Sequence, residues 1–420
     1  MLKKLLFSLL LVLFANLIFA QASYSSTYSR FGLGKINDKS FAHNIGLGYS
    51  GIAYTNKYNT NSLNPASLTS LDTMSFIFTF GLKGEFNYLQ TKEISEQHYY
   101  ANISYFSIAF PITKWWFSSI GLRPYSSIGY EIQNEIDIVD NNNNIVTSQT
   151  QKYTGEGDIN QLYISQAFKY KKLSFGANIS YLYGSLDKTT ALIFPSSAGA
   201  YNMYSRSRTI INDFYFDFGL QYRTKISSKT KMFVGLTYDL KKNLMSESTL
   251  YLDRYFGTRP DTIFNGTINH NGITLPSSLG FGIGLEFNKK LLFLADIKII
   301  NWKESEIYGN DEELDNSLSI NTGLQYIPNN RSLRYVNKIN YRIGGYFKKS
   351  YIVVNNEQLK NFGITFGFGF PIRKSGTMFN ISFDLGKYGT MNNNLIQELY
   401  IGGHISLSLF DRWFYKRKFD

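Results

Sequence analysis

The sequence predicts an all-β protein, a transmembrane antiparallel β-barrel of about 14 strands with an N-terminal hatch in its lumen. Three observations lead there: strict period-two alternation repeated along the chain, connections that alternate between short and long, and a composition rich in rings and glycine but poor in charge. Alternation of apolar and polar residues is the signature of a strand with two unlike faces. Phe362, Ile364, Phe366, Phe368 and Phe370 alternate with Gly363, Thr365, Gly367 and Gly369. Leu173, Phe175, Ala177 and Ile179 alternate with Ser174, Gly176, Asn178 and Ser180. A soluble sandwich also alternates, but these segments run well past the usual five or six residues. Large rings at nearly every apolar position also suit lipid better than two interdigitating sheets.

The segments fall at 74–89, 97–111, 115–133, 158–171, 172–188, 206–225, 230–252, 269–287, 290–308, 316–328, 333–348, 358–371, 376–389 and 397–411. Short turns near Pro111–Lys114, Lys171–Lys172, Ser227–Thr230, Asn288–Lys290, Asn329–Arg331 and Arg373–Gly376 alternate with longer polar loops, among them Asp137–Asp158, Thr189–Ser205 and Asp253–Asn269. Short periplasmic turns and long outer loops mark outer-membrane barrels. An even count returns the chain to the side on which it began, so both termini are expected in the periplasm. Trp115, Trp116 and Trp413 at one end, and Tyr99, Tyr100, Trp302 and Tyr400 at the other, are expected to form the interfacial girdles.

Composition excludes the alternatives. Of 420 residues, 17% are aromatic and only 18% charged, with 34 Gly and no Cys. Disorder needs the opposite balance, and disulfide scaffolds or Cys-ligated metals need cysteine. A helical bundle would need repeated apolar runs of about 20 residues, at odds with a mean hydropathy of −0.20. The one such run, Leu5–Ala20 behind Lys3 and Lys4, reads as a secretory signal peptide over 1–20. Without cysteine no lipoprotein anchor can follow. The formal charge of +12 is scattered except for Arg412, Lys416, Arg417 and Lys418 in a basic tail at 412–420, so no nucleic-acid partner is expected.

The division that follows is 1–20 signal peptide, 21–73 hatch, 74–411 barrel and 412–420 periplasmic tail. A barrel of this size has a lumen wide enough to need filling. Residues 21–73 do not alternate, and they are the available filler. Gly46, Gly48 and Gly51 match the spacing of a dinucleotide fingerprint, but no strand–turn–helix unit surrounds them. His43, His98, His270 and His404 never pair at metal-ligand spacing; a nucleophile needs a Ser–His pair oriented by a third group, and the one seed for it, His404 with Ser406 on one face of the last strand, reads as an ordinary lumen or wall histidine. Asp311–Asp315 and Asp140–Asn144 read as solvated loop residues. No catalytic residue, metal or cofactor is expected. Asp213, Asp217, Asp239, Glu286, Asp296, Lys298, Arg342 and Asp384 fall on polar faces and are expected to form a hydrogen-bonded lumen network.

Gly48-Tyr49-Ser50-Gly51-Ile52-Ala53, then Asn64-Pro65-Ala66-Ser67-Leu68, resembles the N-terminal hatch of the FadL-like outer-membrane family. Leu275-Pro276-Ser277-Ser278 with Asn301-Trp302, and Tyr341-Arg342-Ile343-Gly344-Gly345-Tyr346, add weaker matches. The resemblance implies passive uptake of a fatty acid or hydrocarbon in a Gram-negative outer membrane, with lipid and a hydrophobic ligand as partners. It implies that Gly48, Gly51, Asn64, Pro65 and Ala66 place the hatch. Proline in a strand removes a ladder donor, so from the residues alone Pro124 marks an ordinary bulge; the resemblance implies instead that Gly121, Arg123, Pro124 and Tyr125 form a kink opening the third strand sideways. The charged lumen and the long leader Tyr24–Lys39 fit a second reading, a non-transporting barrel among the subunits of an outer-membrane secretion or assembly machine.

Overall fold

A computed structural model describes residues 25–257, 259–270, 272–307, 314–372 and 375–412. The expected signal peptide, Asp311–Glu313, the side chain of His270 and the tail from Trp413 onward lie outside them. Fourteen antiparallel strands form the wall. They are β1 Ser75–Gln90, β2 Ser95–Pro111, β3 Trp116–Val139, β4 Ile145–Tyr170, β5 Leu173–Ile193 and β6 Asn202–Lys225. Then come β7 (Thr230–Asp239, Lys242–Leu244 and Ser246–Phe256) and β8 (Arg259–His270, Ile273–Leu275 and Ser278–Phe287), each interrupted twice. The remainder are β9 Leu291–Ile300, β10 Ser317–Tyr326, β11 Asn340–Val354, β12 Glu357–Pro371, β13 Met378–Gly389 and β14 Gln397–Arg412. Pairing of β14 with β1, from Gln397↔Gln90 to Arg412↔Ser75, closes the sheet. Closure at this junction pairs backbone groups that lipid could not satisfy.

The alternation becomes two faces. Phe362 and Ile364 are 47% and 52% exposed on the outer wall, while Thr365 between them and Phe366 is fully buried. An outward apolar belt over an inward polar face is the mark of a membrane barrel. At the turn end Trp115, Trp116 and Phe168 stack with centroids 6.0–6.3 Å apart, as a girdle should. The opposite girdle is smaller than expected. Tyr99 points outward, but Tyr100 bonds Glu85 inside, Tyr400 bonds Tyr346, and Trp302 is buried against Tyr351. Neighbours on a strand face opposite ways, so Tyr99 and Tyr100 cannot share one belt.

Three of the expected outer loops are in large part strand. β3 and β4 pair as far as Val139↔Ile145, β5 and β6 to Leu192↔Met203, and β7 and β8 to Phe256↔Arg259. A membrane needs about ten tilted residues per strand, so the 26 residues of β4 stand far beyond it. Above the membrane water reaches both faces of β4, and over Thr147–Gln151 the apolar alternation that reveals a strand in sequence disappears. At the turn end, Tyr335–Lys338 forms a short 3₁₀ turn, and β11 begins at Asn340 rather than 333.

Candidate functional site: the lumen and its N-terminal segment

Residues 25–73 run along the lumen from the loop end to the turn end. At the loop end, Glu398, the second residue of β14, accepts hydrogen bonds from Ser26 Oγ (2.8 Å), Thr27 N–H (2.9 Å) and Thr27 Oγ1 (2.6 Å). Ser25 N–H donates to Gly129 O of β3. The two-residue strand Lys35–Ile36 pairs with Ser127 and Ser126 of β3. The helical turn Ala42–Ile45 follows, and the 3₁₀ stretch Pro65–Ser70 ends beside β4 to β6. Ser25 therefore lies at the opposite end of the barrel from Ser75 and Arg412, whose pairing closes the turn end. Residues 1–24, which carry the N-terminus itself, lie outside the described residues.

Inward glycines mark the track. A Cβ on Gly367 would meet Gly46; on Gly323 or Gly344, Leu47; on Gly235 or Gly282, Ile52 and Ala53; on Gly219, Asn64; and on Gly176, Pro65 and Ala66. Glycine within a strand signals another backbone coming close. Asn64 reaches across this track: its Oδ1 caps the N–H of Ala66, while Nδ2 donates to the carbonyls of Ile52, Leu220 and Leu236. Asn64→Leu removes the cap and the three Nδ2 bonds, although the Ile52 carbonyl keeps Gln221 Nε2 at 2.9 Å. A lost cap costs about 1 kcal/mol, and the lost buried hydrogen bonds add to it. We expect the segment to loosen by roughly 2 kcal/mol, read as faster hydrogen exchange over residues 51–70.

Ionic residues fasten the middle. Lys39 sits 3.4 Å from Asp217 and 3.2 Å from Asp239, and Lys298 lies 2.8 Å from Asp239. Asp296 Oδ2 accepts the N–H groups of Gly51 (2.6 Å) and Ile52 (2.9 Å). Asp384 accepts Tyr49 O–H at 2.7 Å and pairs with His404 at 3.1 Å. Lys348 bonds Asp38, and Lys35 bonds Glu85. Of the expected lumen network, Asp217, Asp239, Asp296 and Asp384 thus touch the segment directly. Arg342 bonds Gln325 and Asn380 in the wall beneath it. Asp213 stands apart, holding the β7 break through Met245 N–H and Lys242; Glu286 pairs with Lys231 near the turn end.

His404 turns to Asp384 rather than Ser406. Glu398, Glu85, Lys35 and Lys39 escaped the sequence reading. Parity offered a signal for Glu398, which shares a face with Tyr400, Gly402, His404 and Ser406. Among the described residues no cluster of three or more His, Asp or Glu side chains could hold a metal.

Electrostatics give this segment a pH dependence. His43 lies on the lumen segment, walled off from lipid, with both ring nitrogens buried and lacking a hydrogen-bond partner. Burial, and secondarily the Arg342 charge, hold its pKa well below the ordinary histidine value. The docked form thus refuses a proton that the released form accepts below about 6.5. Docking is therefore fully stable above that pH and weakens as pH falls, by up to about 1.4 kcal/mol per unit. Hydrogen exchange over residues 41–54 should accelerate between pH 7 and 5, and His43→Leu should flatten the slope. Asp38 acts in a lower window. Burial would raise it, but the Lys348 ammonium and Ser40 outweigh that and hold it below the usual carboxylate range, so its contribution fades only below about pH 4.

The wall carries a long seam. β2 and β3 pair only from Pro111↔Phe117 to Phe106↔Leu122, and above that they part. The kink expected at Gly121 to Tyr125 falls there. Between β3 and β4 the register shifts between Pro124 and Ser126, leaving Tyr125 as the extra residue. Gly121 admits the Tyr163 ring, Arg123 is buried with Nε on Gln161, and the Tyr125 carbonyl accepts Asn37 N–H. Beside the seam, between segment and wall, lies a cavity of about 350 Å³. It is lined by Lys35, Lys83, Glu85, Arg123, Asp239 and Lys298, with Tyr49, Tyr125 and Tyr346 among them.

A closed fourteen-strand wall with an N-terminal segment laid through its lumen defines a transmembrane β-barrel with the fold of the FadL-type channels. Solved structures agree on the fold. The monoaromatic hydrocarbon channel CymD superposes with a TM-score of 0.58 at 14% identity, over 91% of this chain and 99% of that one. The toluene transporter TodX of P. putida gives 0.59 at 15%, over 90% and 100%. A Pseudomonas aeruginosa FadL homologue gives 0.58 at 11%, over 91% and 100%. No curated protein sequence matches. The BamG family model matches residues 1–420, and the chain belongs to that family.

Proposed function

We propose that this barrel is a sealed, non-transporting subunit of a larger outer-membrane machine for protein secretion or barrel assembly, with its turn end and Arg412 on the periplasmic side. The observation that carries this is the segment 25–73, fastened along the lumen from Glu398 at one end to Pro65–Ser70 at the other. Buried ion pairs along a path would oppose an apolar solute, because breaking them leaves uncompensated charge. Residues 21–73 then act as a permanent hatch, with Gly48, Gly51, Asn64, Pro65 and Ala66 as its anchors. Membership of the BamG family over the whole chain supports the same reading. Purification from native membranes in mild detergent tests it. Defined outer-membrane subunits should co-purify, and the barrel alone should conduct almost no current in planar bilayers. A solitary, conducting barrel would overturn it.

The seam at Pro124 favours a second reading, passive uptake of a hydrophobic molecule that leaves sideways between β2 and β3. The fold shared with toluene transporters supports it. Deleting residues 21–66 should then abolish hydrocarbon uptake, and a lipid or detergent tail should occupy the cavity. Normal uptake with failed assembly of other barrels would sink it.

A further inference from the structure

We propose that the free outer edge of β3, Glu131–Val139, docks an extended strand of a partner protein whose residues alternate between basic and apolar. This rests on the reading of the barrel as an interaction subunit and names the chemistry of the partner.

The edge is open among the described residues. β3 is paired with β4 as far as Val139, but among the described residues its other side is covered only near Tyr125 to Gly129, by the lumen segment. Among the described residues no backbone pairs with Glu131–Val139 on that side, and β2 makes no ladder with β3 above Phe106. An unpaired edge is a template for strand addition.

Its two faces differ in chemistry. Glu131, Gln133, Glu135 and Asp137 fall on the outer face; Ile132, Ile136 and Ile138 fall on the inner one. The inner face continues the buried cluster at the loop end, against which Ile132 packs, while Ile136 and Ile138 are 37% and 36% exposed. On β4 the residues opposite the acidic face are Thr154, Lys152, Thr150 and Ser148. Lys152 pairs with Glu131 at 2.5 Å, and no ion pair joins Glu135 or Asp137 to another described residue. Opposite charges directly across a ladder stabilise it and like charges destabilise it. The added strand therefore presents lysine or arginine to Glu135 and Asp137 and apolar side chains to Ile136 and Ile138. A second copy offers the same acidic edge and is repelled. Residues 21–24 of this chain contain no cation to meet it.

The test uses the full barrel in detergent and a labelled nine-residue peptide alternating lysine and valine, with a glutamate–valine peptide as its counterpart. Anisotropy should show binding of the first peptide only. Glu135→Lys with Asp137→Lys should weaken it about tenfold and admit the second. Since the chain has no cysteine, Asn134→Cys gives a unique handle. It should form a disulfide with a cysteine-bearing lysine–valine peptide, whereas Thr262→Cys on the β8 edge should not. Each variant should keep its heat-modifiable migration as a folded barrel. No binding, binding indifferent to charge reversal, or equal cross-linking at residue 262 overturns the proposal. Co-purifying subunits that persist through any of these leave the assembly reading standing and sink only the edge.

Discussion

Replacing Gly48 with valine will dislodge the N-terminal segment while leaving the barrel wall folded, and conductance will rise. Gly48 has φ +66°, a left-handed conformation that a β-branched residue resists. Its Cα lies between two wall strands, so a Cβ there would overlap the carbonyls of Thr322 on β10 and Gly345 on β11. The wall cannot yield, because Gly323, Gly344 and Gly345 sit in continuous ladders with their neighbours. The segment must move instead. Backbone strain of this kind costs about 1–3 kcal/mol, and the overlap adds a comparable amount, so undocking by about 3 kcal/mol or more is expected. The docked segment also loses the 2.9 Å bond from Gly48 N–H to Thr365 Oγ1. In planar bilayers the parent barrel should be nearly silent and the variant should show discrete openings. A silent, protease-resistant variant would mean that this contact is not what holds the segment.

Much of this was legible in the sequence, and the gaps have physical causes. The strands near 173–181 and 362–370 announced themselves because lipid outside and a polar lumen inside impose opposite chemistry on alternate residues. The hairpin tips of β3–β4 and β7–β8 stayed hidden because water bathes both faces there, and Gln149, Thr150 and Gln151 look like loop. The lumen charges were visible as charges on polar faces. Their partners were not, since Lys39 reaches Asp217 and Asp239 across about 180 and 200 residues of chain. The glycines at 176, 219, 235, 282, 323 and 344 were equally visible, and only the fold shows that together they trace a path. Trp302 misled because a ring near a strand end suits an interfacial girdle as well as it suits a buried stack on Tyr351, 4.2 Å away.

Asp296 should prove the strongest single polar tether, and its two replacements should separate hydrogen bonding from charge. Its Oδ2 accepts two consecutive backbone N–H groups, from Gly51 and Ile52, at 2.6 and 2.9 Å. Among the described residues no cation lies within ion-pair distance of it, so hydrogen bonding is its work here. Asp296→Ala leaves both donors buried without an acceptor. Each such group costs about 1–3 kcal/mol, so a loss of about 4 kcal/mol in segment docking is expected. Asp296→Asn keeps an amide oxygen where Oδ2 stood and loses only the charge-assisted share of each bond, about 1 kcal/mol in all. The readout is hydrogen exchange at residues 50–54 beside single-channel conductance. Alanine should open the lumen and release these amides, while asparagine should do neither. If asparagine opened it as alanine does, the carboxylate charge would be the tether, and the sealing of the lumen would depend on field rather than on paired donors.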